Sequence, residues 1–218
     1  MFVDAGAHIG SVVADVRRYH PSIQVIAVEA VPEKASDLAR KFPGIEVHSC
    51  ALGEADGEVT FFVDSRRPGY SSLAKRQHSD NDIREISVPM RRLDDIISTS
   101  AKVEVIKIDV EGAELGVLRG SPDLISRCRP VILFESGPRA GEAMGFTVES
   151  LFDWFVAREY DVFVPNRVAH GGPPLGRGGF RESHHYPFRT LDYFAIPTER
   201  RIEIRDRARK ALGIVVTL

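Results

Sequence analysis

Residues 2–10 read Phe-Val-Asp-Ala-Gly-Ala-His-Ile-Gly, and this stretch decides the fold of the chain. A short apolar strand enters a turn of small residues, and the apolar spacing over residues 11–19 predicts a helix after it. A second apolar strand, residues 24–28, ends on the acid Glu29. Glycines let a backbone approach a ligand closely, and a carboxylate at the next strand end accepts hydrogen bonds from ribose hydroxyls. The layout therefore predicts a site for a cofactor that contains ribose.

The spacing of the glycines indicates which cofactor this is. A dinucleotide fingerprint needs Gly-x-Gly-x-x-Gly, but His8 and Ser11 stand where its second and third glycines would be. The Gly-Lys-Ser/Thr ending of a phosphate-binding P-loop is also absent. The remaining pattern, Asp4-x-Gly6-x-x-x-Gly10, resembles the first motif of class I S-adenosylmethionine methyltransferases. This cofactor has no pyrophosphate, so a helix start crowded with glycine is not required.

The bulk composition is that of a globular protein. The chain has 218 residues, of which 43% are hydrophobic and 28% charged, and its net charge is −2. A nearly neutral chain has no overall attraction to nucleic acid or to membranes, and no apolar run approaches the roughly 20 residues that span a bilayer. The two cysteines lack the spacing of a disulfide framework or zinc site, and no signal peptide is recognised. We therefore expect a cytoplasmic protein.

Strands alternate with helices along most of the chain, which predicts an α/β fold. We expect a Rossmann-like, doubly wound, mostly parallel sheet of seven strands, in which the last two, residues 160–164 and 191–196, form an antiparallel edge hairpin. Between these two strands we expect a long structureless loop rich in Gly, Pro, Arg and His, and residues 64–85 are also expected to be irregular. The prediction is one domain over residues 1–218, with a cofactor-binding core at 3–136 and substrate-side elements at 137–218.

Residues 106–114, Ile-Lys-Ile-Asp-Val-Glu-Gly-Ala-Glu, make a family resemblance specific. The chain resembles the FkbM-type S-adenosylmethionine-dependent methyltransferases. The matching motifs occur in order at residues 3–10, 29–32, 71–73, 93–94, 107–112, 117–120 and 129–135. This resemblance implies methyl transfer, mostly to hydroxyl oxygens of sugars, polyketides, lipids or related small metabolites. Beyond residue 136 the resemblance weakens, and we expect the choice of acceptor to be determined there.

Most residues predicted to bind the cofactor follow a strand end. We expect Asp4 and Gly6 beside the methionine part, and backbone amides of residues 7–10 at its carboxylate. His8 is either a contact in this pocket or a tolerated loop histidine. Glu29 is the predicted acceptor for the ribose hydroxyls, and Ser72 is expected at cofactor or substrate. The predicted set is Asp4, Gly6, Ala7, His8, Gly10, Glu29, Ala30, Ala51, Leu52, Ser72 and Asp109, where Ala51 and Leu52 form an apolar floor for adenine.

Four residues are candidates for catalysis: Asp109, Glu111, Glu135 and His184. Neighbouring carboxylates raise one another's pKa, which suits one of them to deprotonate a hydroxyl. Asp109 has three alternative roles, as ligand of the cofactor's amino group, as general base and as metal ligand. His184 lies in the predicted loop and is a second candidate for the base.

Some related O-methyltransferases bind Mg²⁺ through acids at strand ends. Their Asp-Asp pair is replaced here by Phe134-Glu135-Ser136, so we expect no metal requirement. The expected partner is a small-molecule acceptor rather than nucleic acid or a membrane, and a homo-oligomer is compatible with the sequence. Two alternatives remain open. One is a non-catalytic protein that binds S-adenosylmethionine, and the other is an NAD-dependent oxidoreductase.

Overall fold

The computed structural model describes residues 1–64, 71–73, 83–138 and 141–214. Ten strands lie in these ranges. They are β1 (Phe2–Ala5), β2 (Val25–Glu29), β3 (Glu46–Ser49), β4 (Ala51–Leu52), β5 (Gly57–Asp64), β6 (Ile83–Arg91), β7 (Val105–Ile108), β8 (Val131–Glu135), β9 (Tyr160–Phe163) and β10 (Asp192–Pro197).

Seven of these strands form one sheet in the order β3-β2-β1-β7-β8-β10-β9. The first five in this order are parallel, and β10 is antiparallel to both β8 and β9. β1 is central, with Ala5 paired to Val28 on one side and to Ile108 on the other. The carboxyl ends of β1, β2, β7 and β8 therefore meet at one edge of the sheet. Ligands of open α/β sheets bind outside such an edge.

Helices cover both faces of the sheet. They are α1 (Ser11–Tyr19), α2 (Pro32–Lys41), α3 (Leu93–Ile96), α4 (Glu114–Arg119), α5 (Pro122–Cys128), α6 (Val148–Val156), α7 (Arg177–Ser183) and α8 (Arg201–Ala211). Neighbouring residues of β1 belong to different apolar clusters. Phe2 belongs to the cluster that contains Val13 of α1 and Leu38 of α2, while Val3 belongs to the cluster that contains Leu115 of α4 and Phe155 of α6. This alternation is the period of two expected of a strand buried on both sides.

A second, three-stranded sheet stands beside the first in the order β4-β6-β5. β5 and β6 form an antiparallel ribbon in register from Gly57 opposite Met90 to Asp64 opposite Ile83. Residues 71–73 lie against this ribbon, because Ser72 exchanges two backbone hydrogen bonds with Phe62, at 2.9 and 3.0 Å. The small sheet therefore brings Phe61 and Ser71 to the end of β2, where they meet Ala30 and Ala51.

The structure confirms the predicted seven-stranded, mostly parallel sheet and its antiparallel strands at the carboxyl-terminal end of the chain. Three local expectations were wrong or incomplete. The segment expected to be a structureless loop contains α7, residues 83–85 belong to β6, and α5 had no counterpart in the sequence prediction. Most of the stretch expected to be irregular, at 65–70 and 74–82, lies outside the described residues.

None of the helices within the described ranges has both the length and the hydropathy of a bilayer-spanning segment.

Candidate active site

A cavity of about 340 Å³ opens at the carboxyl edge of the main sheet. It is bounded by the ends of β1, β2, β7 and β8 and by the small sheet. The residues that line it are Gly6, His8, Val28, Glu29, Ala30, Lys34, Cys50, Ala51, Leu52, Phe61, Ser71, Leu73, Asp109, Val110, Glu111, Ala113 and Glu135. Four of these are acids and one is a lysine, so the lining carries an excess of acidic groups.

The turn after β1 brings the strand ends into close contact. Gly6 has a φ of 88°, and a Cβ placed on it would lie 1.9 Å from the carbonyl oxygen of Asp109. Gly10 also has a positive φ, of 81°, and a Cβ there would lie 2.4 Å from the Phe42 ring. Both glycines are thus required by contacts within the protein. The sequence prediction had attributed them to the approach of a ligand.

Glu29 is an acid of the cavity that two backbone hydrogen bonds hold in place. It is 6% exposed. The backbone N–H of His8 donates to its Oε2 at 2.8 Å, and the N–H of Val31 donates to its Oε1 at 2.9 Å. Each carboxylate oxygen has a second lone pair, so both can still accept from a ligand hydroxyl. The two hydrogen bonds therefore fix the position of the carboxylate at the cavity before any ligand binds.

Asp4, Lys107 and Asp109 form a line of charges that runs from the interior to the cavity wall. The Lys107 ammonium lies 3.0 Å from Asp109 Oδ2 and 3.7 Å from Asp4 Oδ1. Asp4 is fully buried, and neither of its carboxyl oxygens accepts a hydrogen bond from the described part of the chain. Burial raises the pKa of Asp4 to about 6, although Lys107 opposes this rise. Asp109 lines the cavity, whereas Asp4 does not.

Glu135 ends β8 beside Asp109. Burial raises the pKa of the Glu135 carboxyl, and the negative charge of Asp109 together with a hydrogen bond between the two side chains raises it further. Glu135 therefore holds a proton at a pH where an isolated glutamate would be ionised. A proton shared between two carboxyl groups at a cavity wall is suited to acid–base chemistry.

The loop after β7 is held by Glu114, the first residue of α4. Glu114 is 3% exposed, and its Oε1 accepts from the backbone N–H groups of Gly112 at 3.0 Å and Val110 at 3.3 Å. Burial raises the pKa of Glu114 to about 7. The loop places Glu111 at the cavity with a left-handed φ of 57°. Glu114 itself does not line the cavity.

The opposite wall is apolar. Ala51 and Leu52, the residues predicted to contact adenine, line it together with Phe61 and Leu73 of the small-sheet region. Ser72 was predicted to contact a ligand, but the cavity is lined by Ser71, and Ser72 is 1% exposed. The backbone bridge between Ser72 and Phe62 explains this difference, because it turns the Ser72 side chain into the protein.

His184 lies away from the cavity. It follows α7 and is buried, with Nδ1 2.8 Å from the Phe180 carbonyl oxygen and Nε2 2.9 Å from Ser136 Oγ. Burial lowers its pKa. Of the four catalytic candidates, the structure brings together Asp109, Glu111 and Glu135 and leaves out His184. Asp4, Ala7, Gly10 and Ser72 likewise do not line the cavity, while Gly6, His8, Glu29, Ala30, Ala51, Leu52 and Asp109 do.

Sequence reasoning missed two lysines. Lys34 lines the cavity from the first turn of α2. Lys107 precedes Asp109 by two residues, and that spacing on a strand places both side chains on one face. The spacing was therefore a usable signal for Lys107, whereas Lys34 had none. Across the described ranges, no three His, Cys, Asp or Glu side chains are grouped to hold a metal ion.

Residues 4–162 match the family described as "Methyltransferase FkbM domain". The chain is 28% identical over 144 residues to "Methyltransferase 1" of Beauveria bassiana (strain ARSEF 2860), a match that covers 56% of this chain and 58% of that protein. It is 27% identical over 152 residues to "Methyltransferase sdnD" of Sordaria araneosa, covering 54% of this chain and 59% of that protein. The chain thus spans less than two thirds of these curated relatives.

Among solved structures, the fold is similar to that of the methyltransferase FkbM from Methylobacillus flagellatus KT. The TM-score is 0.54 at 20% sequence identity, and the match covers 89% of this chain and 43% of that one. At this identity the likeness concerns the fold alone.

Proposed function

Since this chain belongs to the FkbM methyltransferase family, we propose that it transfers a methyl group from S-adenosylmethionine to a hydroxyl oxygen of a small-molecule acceptor. The observation that carries this proposal is the fixed carboxylate of Glu29 at the end of β2, facing a cavity whose other wall is apolar. A carboxylate at this position is suited to ribose hydroxyls. The apolar wall of Ala51, Leu52 and Phe61 is suited to a planar base.

The cavity fits this cofactor in size and in charge. Its volume of about 340 Å³ lies within the ordinary range of small-molecule pockets. Glu29, Asp109 and Glu111 outnumber Lys34 in its lining, which favours a ligand with a sulfonium and an ammonium group. The same acids would repel the pyrophosphate of a dinucleotide. The electrostatics therefore support S-adenosylmethionine over NAD.

S-adenosylmethionine supplies a methyl group that its sulfonium already activates, so the protein has two remaining tasks. It aligns the reactants, and it removes a proton from the acceptor hydroxyl. The part of the cavity proposed to bind the cofactor, formed by Glu29 and the turn of residues 6–8, is rigid. The N–H groups of Gly6 and Ala7 both donate to the Val28 carbonyl and so join the turn to the end of β2. The Asp109–Glu135 pair is the proposed proton acceptor, and Glu111 stands beside it at the cavity.

We place the acceptor next to the segment that joins α7 to β10. Asp192, the first residue of β10, pairs with Glu135, and the N–H of Ser136 donates to the Leu191 carbonyl at 2.8 Å. The carboxyl-terminal end of this segment therefore lies at the cavity wall. It presents Tyr186 and Phe188, which are 87% and 49% exposed and have ring centroids 6.0 Å apart. Exposed aromatic rings of this kind commonly contact the apolar face of a ligand.

The proposal is tested by incubating the protein with S-adenosylmethionine labelled on its methyl group and a panel of hydroxylated sugars, polyketides and lipids. Label on oxygen of one acceptor, with formation of S-adenosylhomocysteine, is the expected result. Glu135→Gln should lower turnover of that acceptor while retaining S-adenosylhomocysteine binding. Label recovered on nitrogen or carbon would contradict the assignment to oxygen.

A further inference from the structure

Lys107 connects the cavity to a buried acid that the cavity does not reach. Its side chain is 12% exposed, compared with 30% for Asp109 and 1% for Asp4. The shorter of its two contacts, at 3.0 Å, is to Asp109, and the longer, at 3.7 Å, is to Asp4. The ammonium group is thus positioned between a carboxyl at the cavity wall and one in the interior.

Asp4 is a buried acid whose negative charge requires a compensating positive charge. Both of its carboxyl oxygens lack a hydrogen-bond donor within the described ranges, so the Lys107 ammonium is the positive charge that compensates it. Burial lowers the pKa of the Lys107 ammonium, but the charges of Asp4 and Asp109 outweigh burial and the net shift is upward. An ammonium held on two sides has little freedom to move, and it therefore restrains Asp109 as well.

We propose that Lys107 is a positioning residue of the methyl-transfer site, anchored by Asp4, and that it orients the Asp109 carboxylate toward the cavity and leaves the shared proton on Glu135. Asp4 is then the anchor of the lysine, not a ligand of the cofactor. This inference rests on the proposed function, because Asp109 and Glu135 are assigned their roles there. The Lys107 ammonium also lowers the electrostatic cost of holding two carboxyl groups side by side.

The charged groups that face this network belong to several strands of the sheet. Lys107 on β7 interacts with acids of β1, β8 and β10 as well as with Asp109, which follows its own strand. Glu29 at the end of β2 acts on Asp4, and Glu111 acts on Glu135. Within the described ranges, the acids that interact with this network include Asp4, Glu29, Asp109, Glu111, Glu114, Glu135 and Asp192, and the Lys107 ammonium lies between Asp4 and Asp109. Removing its charge should shift the proton affinity of the Asp109–Glu135 pair upward.

The rival explanation is that Lys107 only neutralises Asp4. The double variant Lys107→Met with Asp4→Asn separates the two, because it removes the buried ion pair as a unit. Breaking a buried pair from one side is strongly destabilising, whereas replacing both partners is often neutral. Lys107→Met alone should therefore lose stability, and the double variant should regain most of it. Lys107→Arg keeps the charge, and Lys102→Met, at an exposed position, is the matched control.

The measurement is the affinity for S-adenosylhomocysteine as a function of pH, by calorimetry. If Lys107 positions Asp109, the midpoint of this pH dependence rises by about one unit in the double variant, although its stability is restored. Lys107→Arg and Lys102→Met should keep the wild-type midpoint. A double variant that regains both stability and the wild-type midpoint would overturn the proposal and leave Lys107 as the counter-ion of Asp4.

Failure of the proposed function gives a different result. In that case the wild-type protein does not bind S-adenosylhomocysteine at all. The Lys107 proposal is then tested without ligand, by chemical denaturation of Asp4→Asn and of the double variant over the same pH range. A carboxyl with a raised pKa loses its contribution to stability as the pH rises through that pKa. The loss should continue to a pH about one unit higher in the double variant, and coincident curves would refute the proposal.

Discussion

Gly6 packs its Cα directly against the carbonyl oxygen of Asp109, so closely that a Cβ on Gly6 would lie 1.9 Å from that oxygen. This contact joins the end of β1 to the end of β7, and it brings the cofactor side of the cavity against the proposed proton acceptor. The spacing between these two strand ends is fixed by backbone atoms, which cannot move aside as a side chain can.

Gly6→Ala should therefore be strongly destabilising. The added methyl group meets a backbone oxygen, and the φ of 88° is itself strained for alanine. We expect a loss of at least about 3 kcal/mol in the free energy of unfolding, measured by chemical denaturation. Gly57→Ala is the matched control, because a Cβ there meets nothing within 4 Å. Equal stabilities of the two variants would show that the strand ends are not in contact.

Glu29→Gln should weaken the binding of S-adenosylhomocysteine about tenfold or more. The amide replaces a carboxylate oxygen by an N–H₂ group, which faces the donor N–H of either His8 or Val31 and leaves that N–H without its acceptor. Glu46→Gln, on the exposed side chain that contacts His48, is the control and should bind as the wild type does. Calorimetric titration measures both. Wild-type affinity in Glu29→Gln would remove this residue from the site.

Glu114→Gln should change how stability depends on pH. The pKa of Glu114 rises on folding from 4.5 to about 7, so the folded state binds its proton more tightly than the unfolded state does. Stability is then highest below the unfolded pKa and falls as the pH rises through the folded one. Glutamine keeps an oxygen acceptor for Gly112 and Val110 without a charge.

The variant should accordingly be more stable than the wild type by about 2 kcal/mol near a pH of about 8, and nearly equal to it near a pH of about 4. Denaturation curves at the two pH values measure this difference. Glu114→Ala is the comparison, since it lacks the acceptor and should be less stable at both. A constant difference between Glu114→Gln and wild type across this range would contradict the raised pKa.

Tyr186→Ala should raise the KM for the acceptor found in the methyl-transfer screen, by about tenfold, and leave S-adenosylhomocysteine binding unchanged. The ring is 87% exposed and its neighbour Phe188 lies on a segment attached to the cavity wall. Tyr19→Ala is the control, because Tyr19 is 71% exposed at the far end of α1. If both variants have the wild-type KM, the acceptor does not contact this segment.

Sequence alone predicted the sheet and the acids at its edge, because both depend on local patterns. Apolar strands that end on Glu29, Asp109 and Glu135 place their carboxyl groups together in any parallel sheet. The helix α7 was not predictable in the same way. Its Arg177-Gly178-Gly179 start has poor helix propensity. Burial of Phe180 against Phe152 and Tyr193 stabilises the helix instead.

Two further side chains, one away from the cavity and one beside it, show the same limit. His184 has the sequence context of a loop residue, yet the helix it follows buries it against Ser136, far along the chain. Lys107 has the sequence context of a buried strand, and its proposed function depends on Asp4, 103 positions earlier. Only the folded sheet brings the Lys107 ammonium to 3.7 Å from Asp4 Oδ1. Contacts between distant residues of this kind are decided by tertiary packing, so periodicity and spacing do not reveal them.

The most direct test of the central claim is a calorimetric titration of the purified protein with S-adenosylmethionine, S-adenosylhomocysteine and NAD⁺. The account predicts that both adenosyl ligands bind in a one-to-one ratio and that NAD⁺ does not, because the cavity is acidic and has a fixed carboxylate at Glu29. Binding of NAD⁺, or no binding of either adenosyl ligand, would contradict it.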